Sequence, residues 1–231
     1  MEPIGLIGGI GPESTIDYYR AMIGAYRQRQ PDGSYPRIVI TSVDVNGMLG
    51  ALMQNQLERV TDLLVTEVER LEAAGAGCAA IAANSPHIVF DAVQARSRLP
   101  LVSIVEATAD EATRLGCKRL GLFGTRFTMH GHFYAQVFER CGLALVVPAE
   151  AEQTYIHDKY MTELVQGTLL PETREGLLAI VAQMKSRDGI DAVILGGTEL
   201  PLVLRDATAS GIPLIDTTVV HAKAIVAQAL R

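Results

Sequence analysis

One strand–turn–helix–strand unit occurs twice in this chain, and that repetition constrains the fold more than any other feature. Ile81-Ala82-Ala83-Asn84-Ser85-Pro86-His87 ends one apolar strand, and Leu195-Gly196-Gly197-Thr198-Glu199-Leu200-Pro201 ends another. The sequel also matches: Arg98-Leu99-Pro100-Leu101-Val102-Ser103-Ile104 opens the next strand after the first copy, and Gly211-Ile212-Pro213-Leu214-Ile215-Asp216 does so after the second. A duplicated unit of this kind predicts two similar lobes, with the polar residues after each strand forming opposite walls of one cleft.

The rest of the chain fits that expectation. Short apolar runs at 4–7, 36–43, 78–83, 101–104, 119–123, 143–147, 192–195 and 212–215 alternate with helical stretches, the pattern of a parallel α/β sheet. Leu57, Val60, Leu63, Leu64, Val68 and Leu71 recur at helical spacing. Ser14 reads as the cap of a helix over 14–29, and Pro171 as the first residue of another over 171–187. No long polar linker separates the halves, so the expected division is interleaved: residues 1–98 plus 212–231 in lobe one and 99–211 in lobe two. The fold class expected is α/β, two pseudo-symmetric Rossmann-like lobes with parallel sheets and the active cleft between them.

Charge and cysteine content narrow the partners. A formal charge of −6 and the lack of any Lys/Arg run leave no basic footprint for nucleic acid or anionic membranes. No 18-residue apolar stretch predicts a membrane span. The beginning, Met1-Glu2-Pro3-Ile4-Gly5-Leu6-Ile7, reads as a first strand rather than a signal peptide. Three widely spaced cysteines, Cys78, Cys117 and Cys141, read as reduced thiols, so a cytoplasmic protein is expected.

In open α/β sheets ligands bind beyond the carboxyl ends of the strands, so the residues just after each strand are the candidates. The first tip is Gly8-Gly9-Ile10-Gly11-Pro12-Glu13-Ser14-Thr15, a glycine turn whose backbone N–H groups suit an anion. As a dinucleotide fingerprint it fails, because a GxGxxG starting at Gly9 places Ser14 where the third glycine belongs. At the second tip Asp44 either grips a substrate amino group or caps the helix that follows. The duplicated tips offer Asn84 and Ser85 in one copy, Thr198 and Glu199 in the other. Thr125 and Thr128 follow the fifth strand. His87 is an acid/base candidate whose alternative is packing or capping. His130 and His132 form an HxH pair without an evident third ligand, so no metal site is expected. Lys159 and Tyr160 have the reach and the tunable pKa of a general base, or else lie on a solvated helix face.

Taken together, Ile7-Gly8-Gly9-Ile10-Gly11-Pro12-Glu13-Ser14-Thr15, Ala83-Asn84-Ser85-Pro86-His87, Gly124-Thr125-Arg126-Phe127-Thr128-Met129 and Gly196-Gly197-Thr198-Glu199-Leu200 resemble the aspartate/glutamate racemase family across essentially the whole chain. The resemblance implies a PLP-independent racemase without a cofactor, usually a homodimer, acting on a small amino or dicarboxylic acid. In such enzymes one thiolate removes the α-proton and an opposed thiol returns a proton from the other face. Transferred residue by residue, the thiol positions are Ala83 and Gly197, and neither can move a proton. Cys78 is no replacement. Its odd offset from Ala83 turns it to the other face, and five residues span about 17 Å of strand. Substrate contacts are expected from Ile10, Asp44, Asn84, Ser85, Thr125, Thr128, Thr198 and Glu199, with Lys159 and Tyr160 as candidate substitutes for the thiols. The function expected is a racemase-like isomerase without the two-thiol mechanism. A non-catalytic carboxylate- or amino-acid-binding protein and a one-faced lyase or decarboxylase remain the alternatives.

Overall fold

The computed structural model describes residues 1–204 and 211–231. It contains two parallel sheets built to one plan. The first comprises β1 (Ile4–Gly8), β2 (Ile38–Ser42), β3 (Cys78–Ile81) and β4 (Leu101–Val102), in the order β2-β1-β3-β4. The second comprises β5 (Arg119–Gly124), β6 (Ala144–Val146), β7 (Ala192–Gly196) and β8 (Leu214–Asp216), in the order β6-β5-β7-β8. Shifting the strand numbers by four converts one order into the other. The repeat read from the two tips is thus a repeat of topology.

Helices connect the strands: α1 (Pro12–Arg29), α2 (Val45–Met53), α3 (Leu57–Ala73), α4 (Phe90–Arg96) and α5 (Ile104–Arg114), then α6 (Arg126–His130), α7 (His132–Arg140), α8 (Glu150–Thr162), α9 (Pro171–Asp188), α10 (Leu200–Leu204) and α11 (Thr217–Ala229). The central strands β1, β3 and β7 are buried along their whole length, and β5 from Leu120 onward, because helices cover both faces of a parallel sheet. This is why those strands read as unbroken apolar runs instead of alternating ones.

The chain forms two compact units, Met1–Ile104 with Thr218–Arg231, and Val105–Thr217. In the first, Ile4, Leu6 and Ala80 of the sheet pack with Tyr18 and Met22 of α1 and with Ala222, Ile225 and Val226 of α11. In the second, Phe123, Val193 and Leu195 pack with Ile156, Leu177, Val181, Met184 and Leu200. The division expected at 99–211 needs correcting at both ends. Leu101 pairs with Ala79, so β4 belongs to the first sheet, and Ile215 pairs with Ile194, so β8 belongs to the second. A strand's sheet is decided by its hydrogen-bonded neighbour, and sequence pattern does not name that neighbour.

Two local expectations also change. The first long helix begins at Pro12 with Gly11 before it, and the Ser14 hydroxyl donates back to the Gly11 carbonyl (2.8 Å) instead of capping. Residues 45–53, which carry no helical pattern strong enough to read, form α2. Gly47 and Gly50 weaken its propensity, and burial of Met48, Ala51 and Leu52 overrides that.

Candidate active site

Both sheets reverse direction at their centres: the chain runs from β1 outward to β2 and then returns to β3 on the other side, and β5, β6 and β7 repeat this. Ligand sites in such sheets lie at the carboxyl ends of the two strands flanking the reversal. In the first unit those ends carry Gly8–Gly11 and Ala83–Ser85. In the second they carry Thr125–Thr128 and Gly197–Glu199.

In the first unit the glycine turn is tightly built. Gly9 has φ +81, and a Cβ there would lie 2.5 Å from the Val43 carbonyl oxygen, so only glycine fits. Its N–H donates to the Thr15 hydroxyl (2.9 Å), which removes that amide from the anion cradle expected at this tip. Ile10 is buried beside it. Asp44 caps α2 by accepting from the Asn46 N–H (3.0 Å), while its carboxylate remains exposed. Ala83 and Asn84 are both buried at the end of β3, and Ser85 opens a short 3-10 turn over Ser85–Val89.

His87, on that turn, is a buried strut. Nδ1 lies 2.8 Å from the Ala83 carbonyl oxygen, and Nε2 lies 3.1 Å from the Ile104 N–H. A carbonyl only accepts and an N–H only donates, so Nδ1 carries the proton and Nε2 receives the Ile104 bond. Burial first, and then the neighbouring His221, push its pKa down to about 3. With both nitrogens committed to backbone, it offers no free base to a ligand. His221, which drew no attention in the sequence, is its neighbour at 6.0 Å between rings. Its Nε2–H donates to the Val102 carbonyl (2.8 Å) and its Nδ1 accepts from the Tyr18 hydroxyl (2.8 Å). Its only signal in the sequence was a histidine set among the apolar positions of the last helix.

The second unit holds the denser constellation. Thr125 caps α6, accepting from the Thr128 N–H (3.3 Å), and Thr128 is fully buried against this turn. Glu199 is buried and accepts from the Thr198 hydroxyl (2.9 Å) and from the Tyr160 hydroxyl of α8. Burial, then the Glu199 charge, drive the Tyr160 pKa well above its ordinary value, so the phenol stays protonated and acts as a donor. The Tyr160 ring also lies against Gly197: a Cβ at position 197 would be 2.4 Å from its Cε2 and 3.0 Å from its Cζ. Lys159 turns elsewhere. It pairs with Glu163, which also accepts from the Thr173 hydroxyl, and that hydrogen bond raises the Lys159 pKa and keeps it charged. Of the two candidate substitutes, the structure brings Tyr160 to the Gly197 tip and ties Lys159 to Glu163.

Of the remaining candidates, His130 Nε2 donates to Gln153 (2.6 Å), and His157 Nδ1 accepts from the Arg126 N–H (3.2 Å). Among the described residues no three His, Cys, Asp or Glu side chains are grouped closely enough to hold a metal ion. Cys78 begins β3, opposite Ile4, and burial first raises its thiol to about 11. The sulfur is therefore protonated at neutral pH and sits at the amino end of the strand whose carboxyl end carries Ala83.

Residues 7–225 match the family described as Asp/Glu/Hydantoin racemase. The chain is 24% identical over 230 residues to the broad specificity amino-acid racemase RacX of Bacillus subtilis, covering 96% of each chain. Among solved structures, a putative Asp/Glu racemase from Yersinia pestis superimposes with a TM-score of 0.92 at 29% identity, with both chains fully covered. An aspartate racemase homologue from Pyrococcus horikoshii does so with a TM-score of 0.88 at 34% identity, again over the whole of both chains.

Proposed function

Because the chain belongs to the Asp/Glu/Hydantoin racemase family, we propose that it takes a small amino or dicarboxylic acid as a racemase-like protein that lacks two-thiol inversion. The candidate ligand contacts are Asp44, Asn84 and Ser85 at the tips of the first sheet and Thr198 and Glu199 at the tips of the second. Ile10, Thr125 and Thr128 shape the turns at those tips. The observation behind this reading is the pair of tips itself. A methyl group at Ala83 and a hydrogen at Gly197 occupy the positions where the family resemblance expects sulfur. The nearest alternatives are committed: His87 is neutral and bonded at both nitrogens, and Tyr160 is a protonated donor to Glu199. Inversion at a carbon needs an acid/base group on each face, and on this reading neither Ala83 nor Gly197 provides one.

A one-faced reaction, a lyase or decarboxylase, is the second reading. The buried Tyr160–Glu199 pair favours it, because a phenol hydrogen-bonded to a carboxylate can pass a proton from a single side. Neither reading calls for pyridoxal phosphate or another cofactor. A cytoplasmic homodimer remains the expected form. Among the described residues no helix is long and apolar enough to cross a membrane.

The test is a thermal-shift screen against both enantiomers of aspartate, glutamate and neutral amino acids, with NMR of the same mixtures. A true ligand at a hundred times its Kd stabilises by about 2.7 kcal/mol, a shift of roughly 5–10 °C in a chain of this size. A saturable shift with no inverted product is the expected outcome. A new product in place of the enantiomer selects the one-faced reaction. No shift with any amino or dicarboxylic acid contradicts the proposal.

A further inference from the structure

Gly197 leaves a gap at the β7 tip, and Tyr160 occupies it. A Cβ built on Gly197 meets three atoms of one side chain, Cε2 at 2.4 Å, Cζ at 3.0 Å and the hydroxyl at 3.1 Å of Tyr160. Real Cβ atoms do not approach other atoms at 2.4 Å, so the ring stands inside the volume that any side chain at 197 needs. The ring has little freedom to withdraw. It is buried in the core of the second unit among Ile156, Leu164 and Leu200, and its hydroxyl is anchored on Glu199. Glu199 is in turn held by the Thr198 hydroxyl.

Resting on the ligand class given under Proposed function, we propose that Tyr160 is the specificity-determining residue of the second tip. Its ring, admitted by Gly197 and fixed by Glu199, forms the wall that residue 197 would otherwise form, and so sets how long a ligand the tip accepts. The pairing runs in both directions. A side chain at 197 must displace the ring, and removal of the ring opens space that Gly197 cannot fill.

Two measurements test this separately. The first is a double-mutant cycle in thermal stability with no ligand present. Gly197→Ala is expected to lower Tm, and to lower it much less in a Tyr160→Ala background. Equal losses in both backgrounds would overturn the pairing. The second compares the Kd values of L-aspartate, L-glutamate and L-2-aminoadipate, which lengthen by one methylene at each step, for the wild type, Tyr160→Phe and Tyr160→Ala. Removing the ring is expected to shift the aminoadipate-to-aspartate affinity ratio by at least about tenfold toward the longer ligand, the scale of a methylene or two in a fitted pocket. Tyr160→Phe keeps the ring and is expected to keep the ratio. An unchanged ratio in Tyr160→Ala overturns the specificity role while leaving the ligand class intact. Failure of the wild type to bind any of the three overturns that role too and also counts against the ligand class, and the stability cycle still decides the pairing.

Discussion

Stability toward urea is expected to fall by several kcal/mol between pH 7 and pH 4, with His87 and His221 responsible for much of the loss. Both imidazoles are buried and neutral, with pKa values pushed down to about 3 and about 4. An unfolded histidine titrates near 6.5, so as the pH drops the unfolded chain takes up protons that the folded chain refuses. The stabilising contribution is complete above about pH 6.5 and is lost as the pH falls toward the folded-state values. At 1.36 kcal/mol per pH unit, each ring forfeits on the order of 3 kcal/mol by pH 4. His221→Gln offers the comparison, because an amide can donate to Val102 and accept from Tyr18 without titrating. Its stability is expected to decline less between pH 6.5 and 4 by about one histidine's share. Parallel pH profiles for wild type and variant would show that His221 does not carry this charge penalty.

The second large effect is a gain of function. Ala83→Cys combined with Gly197→Cys and Tyr160→Ala supplies both thiols and the space for the second. This triple variant is expected to exchange the α-proton of aspartate or glutamate at least about 10²-fold faster than the unmodified chain, the usual scale of positioned acid–base catalysis. Ala83→Cys alone supplies one face, so it is expected to give no inversion. Racemisation by the single variant, or no gain in the triple variant whose fold is intact by circular dichroism, would contradict the proposal that positions 83 and 197 are the two thiol positions. The readout is the α-proton NMR signal in deuterated water together with chiral chromatography.

What the sequence made legible was the ends of strands. The tips after β1, β3, β5 and β7 combine glycine (alanine after β3), small polar residues and an abrupt end to an apolar run, and a parallel sheet places such residues together at one edge. The proposal that Ala83 and Gly197 stand at the family's thiol positions rests on the same tips. The pairing partners of β4 and β8 were not legible. Both strands are short, three residues at most, and nothing in Leu101–Val102 or Leu214–Asp216 tells one parallel neighbour from another. The relation between Tyr160 and Gly197 was also hidden, because it depends on how α8, packed against β5, carries Tyr160 to the end of the neighbouring β7, and not on any spacing along the chain. Lys159 and Tyr160 are adjacent in sequence and looked equivalent. A helix turns about 100° per residue, and that rotation sends one to Glu163 and the other to the Gly197 tip. The two buried histidines illustrate the same limit, since their tautomers follow from backbone groups as distant as Ile104 and Val102.

The most direct test of the central claim uses the unmodified protein. Aspartate and glutamate, each as a pure enantiomer, are incubated with it in deuterated water and followed by proton NMR and chiral chromatography. With hydrogen and methyl groups at the two positions the resemblance assigns to the thiols, the expected result is retention of the α-proton and of the original enantiomer at the rate of a protein-free control. Rapid α-deuteration with conversion to the opposite enantiomer would contradict the account.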